Sequence, residues 1–433
     1  MTSLYDINYQ LRAHKRDRFI EFIKSLLLTP FILSTGPKSS DSLTDKNRYL
    51  EILGCIEELI DEHMRCRDAG QLDLAHLTRL VPSVGHFYTR LPLKEAFDII
   101  NSKRSLIGRR FVPPSFNDIR YLLNEAQIIA IAPQVELVTF DGDMTLYADG
   151  KDFPEDSELV GLIITLLSHN IKVAIVTAAG YPGNAKRYEE RLSGLLSGFK
   201  NSKLDHKLFD NFYVFGGECN YLFKYNSKTL HLEYIPEEVY QPESIRVWST
   251  DEERIQELLN VAESHLKTRV KELGLENRVS ILHKSRAVGC NPIAPYSLTR
   301  EQLDELALST QTVLNEHQMD RSKSKNKRLR TSNGAPSSPA LPIIPFCAFN
   351  GGSDVWVDIG NKLIGVKILR EWFGTPGNKT LHVGDQFLST GNDIATRTAC
   401  CTIWITSPEE TQEMLEQLTS MLKNKKSPKK GKK

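Results

Sequence analysis

The segment VELVTFDGDMTLYADG, residues 135–150, is an apolar run (Val135, Leu137, Val138, Phe140) that delivers two carboxylates, Asp141 and Asp143, followed by Thr145. The run has the pattern of a buried strand, and Gly142 lets the backbone turn sharply between the acids. Both acids then lie just past a strand's carboxyl end, where open parallel sheets bind ligands. One acid able to attack and one able to shuttle a proton are the minimum for phosphoryl transfer through an aspartyl phosphate. Asp-Gly-Asp alone would equally suit an ordinary turn. The order of the segments downstream argues for a site.

Three of those segments supply the rest. IKVAIVTAAG, residues 171–180, reads as a second strand ending at Thr177. NKLIGVKILREWFG reads as a helix with Lys362 in its first turn and Lys367 farther along, and KTLHVGDQFLSTGND as a third strand ending at Gly384-Asp385. Strands alternating with helices predict a parallel sheet covered on both faces. In such a sheet Asp141 and Asp385 stand on neighbouring strand ends and can share one hard cation. Magnesium fits best, because it uses one or two carboxylates and keeps water and phosphate oxygens as its other ligands. No His/Cys spacing suggests zinc. Thr177 and Lys362 would bind the transferring oxygens. Asp143 would protonate the leaving alcohol and then activate water. Lys367 competes for the lysine role, with Lys362 preferred because the first turn lies nearer the crevice.

Around this core the chain divides. Its 433 residues suffice for two or three domains. A net charge of +1 gives no global attraction to nucleic acid or membrane, and seven scattered cysteines suit a reducing, cytoplasmic setting rather than a disulfide framework. The start lacks a signal-peptide run. Residues 19–33 read as an amphipathic helix broken by Pro30, too short and too charged to span a bilayer.

Residues 1–130 read as a helical domain for packing, regulation or assembly, with helices expected over 46–66, 72–80 and 115–130. The catalytic core is expected over 131–200 and 346–423, with helices over 156–168 and 183–196. Residues 201–345 form an inserted cap of mixed strands and helices. Within it FYVFGGECNYLFKYN, HLEYIP, IRVWST and VSILHKSRAVGCNPI read as strands, the last with a basic exit at Lys284 and Arg286. Helices are expected over 251–274, capped by Thr250 or Asp251, and over 299–317. The basic, Ser/Pro-rich stretch at 320–340 reads as a disordered loop, and 424–433 as a solvated lysine-rich tail, in preference to nucleic-acid contacts.

The order Asp141-x-Asp143-x-Thr145, Thr177, Lys362, Gly384-Asp385 resembles the haloacid dehalogenase (HAD) superfamily with a C2-type cap, except that Met144 stands where that superfamily usually has glycine. The segments FVPPSFNDIRYLLNEAQ, TFDGDMTLYADG, VTAAGYPGNAKRYEERL, FGGECNYLF, SRAVGC, SDVWVDIGNKLIGVKILREWFG and HVGDQFLSTGNDIATR resemble the IMP-specific 5'-nucleotidase family over nearly the whole chain. The resemblance implies a HAD-like Rossmannoid parallel-sheet core with an inserted cap. It also implies hydrolysis of inosine 5'-monophosphate (IMP) with Mg2+, activation by ATP at a separate site, and a homotetramer assembled through the helical region. The metal ligands expected are Asp141, Asp143 and Asp385. The nucleoside contacts expected are Asp149, Arg286 and Asp354, since acids accept ribose hydroxyls and arginine binds purine or phosphate oxygens. Each of these three would also serve as an ordinary exposed charge. The effector site is expected in the helical region, around Tyr121.

Two other readings stay open. A sugar-phosphate phosphatase or phosphomutase would use the same motifs, because they do not select the leaving group. A catalytically silent nucleotide-binding regulator would keep the fold without the turnover.

Overall fold

The computed structural model describes residues 17–34, 42–109, 111–329, 342–388 and 390–425. At its centre is a seven-stranded sheet built from β1 (Leu137–Phe140), β2 (Lys172–Val176), β3 (Phe212–Gly216), β4 (Tyr221–Asn226), β5 (His231–Ile235), β10 (Thr380–Gly384) and β11 (Cys401–Trp404), in the order β11-β10-β1-β2-β3-β4-β5. The five strands from β11 to β3 are parallel, and β4 and β5 continue the sheet antiparallel. β1 is buried along its whole length between β10 and β2. The register of Phe140 with Val383 and Ile175 brings three carboxyl ends to one level. Asp141, Thr177 and Asp385 therefore emerge together above the sheet, at the position where parallel sheets open a ligand crevice.

The cap is a separate four-stranded antiparallel sheet, β6 (Val279–His283), β7 (Ala287–Pro292), β8 (Phe346–Asn350) and β9 (Val355–Ile359), in the order β6-β7-β9-β8. Helices Glu252–Glu272 and Arg300–Leu329 pack on it through Leu258, Leu259, Leu303 and Leu306. The segments FYVFGGECNYLFKYN and HLEYIP thus belong to the core sheet rather than to the insert. Residues 346–359, expected in the core, complete the cap sheet. The cap between the two sheets spans about 237–359 instead of 201–345.

Other local expectations are also revised. IRVWST lies in a helix, Glu243–Ser249, that follows Pro242 and buries only Trp248; one inward residue per turn satisfies a short surface helix, whatever its β-branched neighbours prefer. VSILHKSRAVGCNPI is two strands, and Lys284 and Arg286 occupy the turn between them. The segment expected as one helix over 183–196 is two, Ala185–Arg191 and Ser193–Asn201. The first helix, Arg18–Ser34, continues through Pro30. The helix expected to end at 317 runs to Leu329, so helical backbone replaces the start of the expected basic loop. The remainder of that loop, 330–341, and residues 426–433 of the tail lie outside the described residues.

Helices Ser42–Asp68, Leu93–Arg104 and Phe116–Ile131 dominate the N-terminal region. The last begins with a capping box in which Ser115 and Asp118 satisfy each other's backbone N–H groups, and Arg109 grips Asp118 at 2.7 and 3.1 Å. It packs beside β11, at the margin of the core sheet, and its apolar face joins the same hydrophobic cluster as the core strands. Among the described residues no helix is long and apolar enough to cross a membrane.

Candidate active site

Asp141 follows directly on β1, its N–H donating to Val383 O at 2.9 Å and its Oδ1 accepting from the Gly142 N–H at 2.7 Å. A Cβ on Gly142 would lie 2.4 Å from the Tyr147 hydroxyl, so any larger residue here would have to displace that buried ring. Met144 has φ +57°. The left-handed conformation for which glycine is the usual residue is kept here with a side chain, at a cost of about 1–2 kcal/mol.

Lys362 opens helix Lys362–Phe373, whose N-cap Asn361 accepts from the Ile364 N–H at 2.9 Å. Its ammonium is fully buried, 2.7 Å from Asp141 Oδ2, 2.8 Å from Asp393 Oδ1 and 3.0 Å from Asn392 Oδ1. Burial alone would lower its pKa, but Asp141, Asp393 and Glu218 hold it well above the usual lysine value. Lys367 is solvent-exposed on the same helix and does not reach the cleft. Of the two lysines, Lys362 is the one that meets Asp141 and Asp393.

Asp141, Asp385 and Asp393 form the one group of three or more potential metal-ligating side chains found among the described residues, with one oxygen of each within 4.8 Å of the others. Burial pushes Asp141 up to about 7, Lys362 opposes the rise and Asp393 adds to it. Asp385 is raised for the same reasons, with Asp141 as its first charged neighbour. Asp393 behaves oppositely. Burial would raise it, but Lys362 and His382 prevail and hold its carboxyl below the usual aspartate range. Three carboxylates around one ammonium leave negative charge in excess, and all the donors are hard oxygens, so the residues present fit a divalent cation of the magnesium class.

Asp143, expected as a ligand, is not in this group. Its Oδ1 accepts from Arg191 Nη2 at 2.5 Å and from the Gly150 N–H at 3.0 Å. Thr177 Oγ1 accepts from the Ala179 N–H at 3.1 Å, which leaves its own hydroxyl proton to donate.

The cleft above these groups encloses about 380 Å³, within the range of small-molecule sites. Asp141, Asp143, Thr177 and Asp385 line it from the core, and Asp149, Arg286 and Asp354 are also in its wall, the last two contributed by the cap. Arg286 is held by Ser249 O at 3.0 Å and by Glu252. Burial raises the Asp149 and Asp354 carboxyls, with Asp143 adding to the first and Asp149 to the second. Tyr181, Tyr221, Phe349 and Trp356 give the cleft aromatic surface, with the Lys284 ammonium 4.2 Å from the Trp356 ring centroid. Tyr121 is not among the cleft residues. It lies on helix Phe116–Ile131, its phenol donating to Glu410 and its ring faced by the Arg104 guanidinium at 3.5 Å.

Four contributors were not singled out from sequence: Asp393, Arg191, His382 and Glu218. His382 bridges Thr139 Oγ1 at 2.9 Å and Asp393 Oδ1 at 3.0 Å, and burial keeps its pKa low. Facing a carboxylate oxygen, its Nε2 is placed to donate to Asp393. Glu218 is buried at φ +64°, accepts from Asn392 Nδ2 at 2.8 Å, and is pushed up to about 7 by burial. The adjacency of Asn392 and Asp393 to Asp385 was the only available signal, since the others reach the site through partners remote in sequence.

The family model for IMP-specific 5'-nucleotidase matches residues 1–415. The IMP-specific 5'-nucleotidase 1 of Gibberella zeae is 41% identical, with 98% of this chain and all of the relative aligned. A mutant of Plasmodium falciparum IMP-nucleotidase solved with IMP bound is 34% identical and superposes with a TM-score of 0.78 over 95% of this chain and 96% of that one. The ATP-bound structure of the same parasite protein gives 0.75 at 34% identity, over 97% and 88%. End-to-end likeness of this kind, joined to a HAD-like sheet whose strand ends carry Asp141 and Asp385, makes the chain a member of the IMP-specific 5'-nucleotidase family, whose members are phosphoric monoester hydrolases.

Proposed function

We propose that this protein hydrolyses IMP to inosine and phosphate through an aspartyl phosphate on Asp141. The observation that carries the proposal is the convergence of Asp141, Asp385 and the buried Lys362 beneath an aromatic-lined cleft large enough for a nucleotide. An Asp141 carboxylate oxygen attacks phosphorus, and the bond from phosphorus to the ribose 5'-oxygen breaks as Asp143 gives that oxygen a proton. Inosine leaves. Asp143, now a carboxylate, takes a proton from water, whose oxygen attacks the same phosphorus. The bond to Asp141 then breaks, and phosphate departs.

Lys362 fixes the Asp141 carboxylate and, with the Thr177 hydroxyl, supplies positive charge and a donor where the transferring oxygens gather charge. His382 and Asn392 hold Asp393 and Lys362 in register. Mg2+ held by Asp141 and Asp385, with Asp393 beside them, would offset the repulsion between an anionic nucleophile and a phosphate dianion. Asp149, Asp354 and Arg286 are the proposed contacts to the nucleoside, and the aromatic wall suits a purine.

The parasite relative has been solved with ATP bound, which supports ATP as a ligand; its role as an activator, with Tyr121 in the effector region, is part of the proposal. Assembly as a homotetramer and a cytoplasmic location complete the proposal. The test is phosphate release from IMP, other nucleoside monophosphates and hexose phosphates, with and without Mg2+ and ATP. IMP should be preferred, turnover should need Mg2+, and ATP should raise it; preference for a hexose phosphate would overturn the assignment.

A further inference from the structure

Trp404 ends β11, and its indole Nε1–H donates to the main-chain carbonyl of Asp385 at 3.0 Å. Its main chain is gripped from the helical region. Asn124 Nδ2 donates to Trp404 O at 2.7 Å, Asn124 Oδ1 accepts from Trp404 N at 3.1 Å, and Arg120 Nη1 shares the same carbonyl at 2.7 Å. Arg120 is itself fixed by Glu410, at 2.7 and 2.8 Å. The Trp404 ring is 3% exposed and packs edge-on against Phe116, with centroids 5.5 Å apart, and against Phe387 at 6.1 Å. One residue thus joins helix Phe116–Ile131 to the loop that bears Asp385.

That loop needs fixing. Asp385 and Asp393 both face Asp141 within a few ångströms, and like charges push the carboxylates apart. The Gln386 N–H holds Asp393 Oδ2 at 2.8 Å from within the loop. Trp404 supplies a contact to the Asp385 main chain from outside it.

We infer that Trp404 is a positioning residue for metal binding, holding the Asp385 carbonyl so that the side chain keeps its place beside Asp141, and that Asn124 and Arg120 set this position from the helical region. Trp404 is not among the residues that line the cleft, and its contact with the site is through the Asp385 carbonyl. The inference rests on the proposed function only through Asp385 as a ligand.

The test uses Mn2+ as the probe, with free ion measured by electron paramagnetic resonance on the full-length protein. Trp404→Phe keeps the ring packing and removes the donor. It should weaken Mn2+ binding about fivefold, the factor equivalent to one net hydrogen bond. Asn124→Ala, acting from the helical side, should shift affinity in the same direction. Lost IMP turnover should return as Mg2+ is raised, with KM for IMP unchanged at saturating metal. Wild-type Mn2+ affinity in both variants, or a turnover loss that no Mg2+ concentration restores, would overturn the inference. A wild-type protein that binds Mn2+ through Asp385, as shown by loss in Asp385→Asn, yet leaves IMP intact would instead overturn the proposed function and leave this inference standing.

Discussion

Replacing Asp141 by asparagine separates what the residue does for chemistry from what it costs the fold. The asparagine carbonyl would still accept from the Gly142 N–H or the Lys362 ammonium, but the amide has no charge to desolvate and cannot form an acyl phosphate. In the fold the Asp141 carboxyl sits at about 7 against an ordinary value of 3.8. Its folded value lies above its unfolded one, so the folded state binds the proton more tightly. That contribution to stability is fully present below pH 3.8 and is lost as pH rises through about 7. At about 1.4 kcal/mol per pH unit, the interval from pH 5 to about 7 sets an upper bound of ~3 kcal/mol. The attraction of the ionised carboxylate to Lys362 is already contained in the value of about 7, since Lys362 opposes the rise caused by burial. In denaturant melts of metal-free protein, the stability of Asp141→Asn relative to wild type should therefore grow by about 1–3 kcal/mol between pH 5 and pH 7.5. Turnover of IMP should vanish. Identical pH slopes for the two proteins would show that Asp141 is not held above its ordinary value, and residual turnover at the wild-type rate would remove it as nucleophile.

Three further outcomes are expected. Lys362→Met should abolish turnover and destabilise the fold by about 3–5 kcal/mol, because Asp393 and Asp141 lose their shared buried partner, whereas Lys367→Met should stay within about 0.5 kcal/mol in the same melts. Met144→Gly should change stability by less than about 1 kcal/mol, since relief of the left-handed backbone is offset by the greater freedom of glycine in the unfolded chain; Met144→Val should cost more than that, and the reverse ranking in thermal melts would contradict the positive φ. Mg2+ should raise the melting temperature more at pH 7.5 than at pH 5, because ligation requires the raised Asp141 and Asp385 carboxyls to shed their protons; equal increments at both pH values would count against these ligands.

The groups that meet above the sheet were legible because each sits at a strand end or helix start, and such ends converge once the sheet is known to be parallel. Asp141, Thr177 and Asp385 needed only the register of β1 with β2 and β10. Lys362 needed only to be in the first turn of its helix. Glu218 was hidden because its partner, Asn392, is 174 residues away, and a glutamate within FGGECNYLF looks like part of a turn. His382 lies in an apolar strand and reads as core. The cap boundary was misplaced because an antiparallel pair added to a parallel sheet has the same alternation as a pair in an insert; only the pairing of β3 with both β2 and β4 decides it.

The side-chain amide of Asn124 meets both main-chain groups of Trp404 in the way that a neighbouring strand would. Bare strand margins recruit other chains, and at the opposite margin β5 presents exposed His231 and Glu233 instead. One border is thus guarded by charge and the other by a helix that belongs to a different part of the chain. Shortening the protein past that helix would uncover a hydrogen-bonding rim, and the product should self-associate even though every phosphotransfer group is still present.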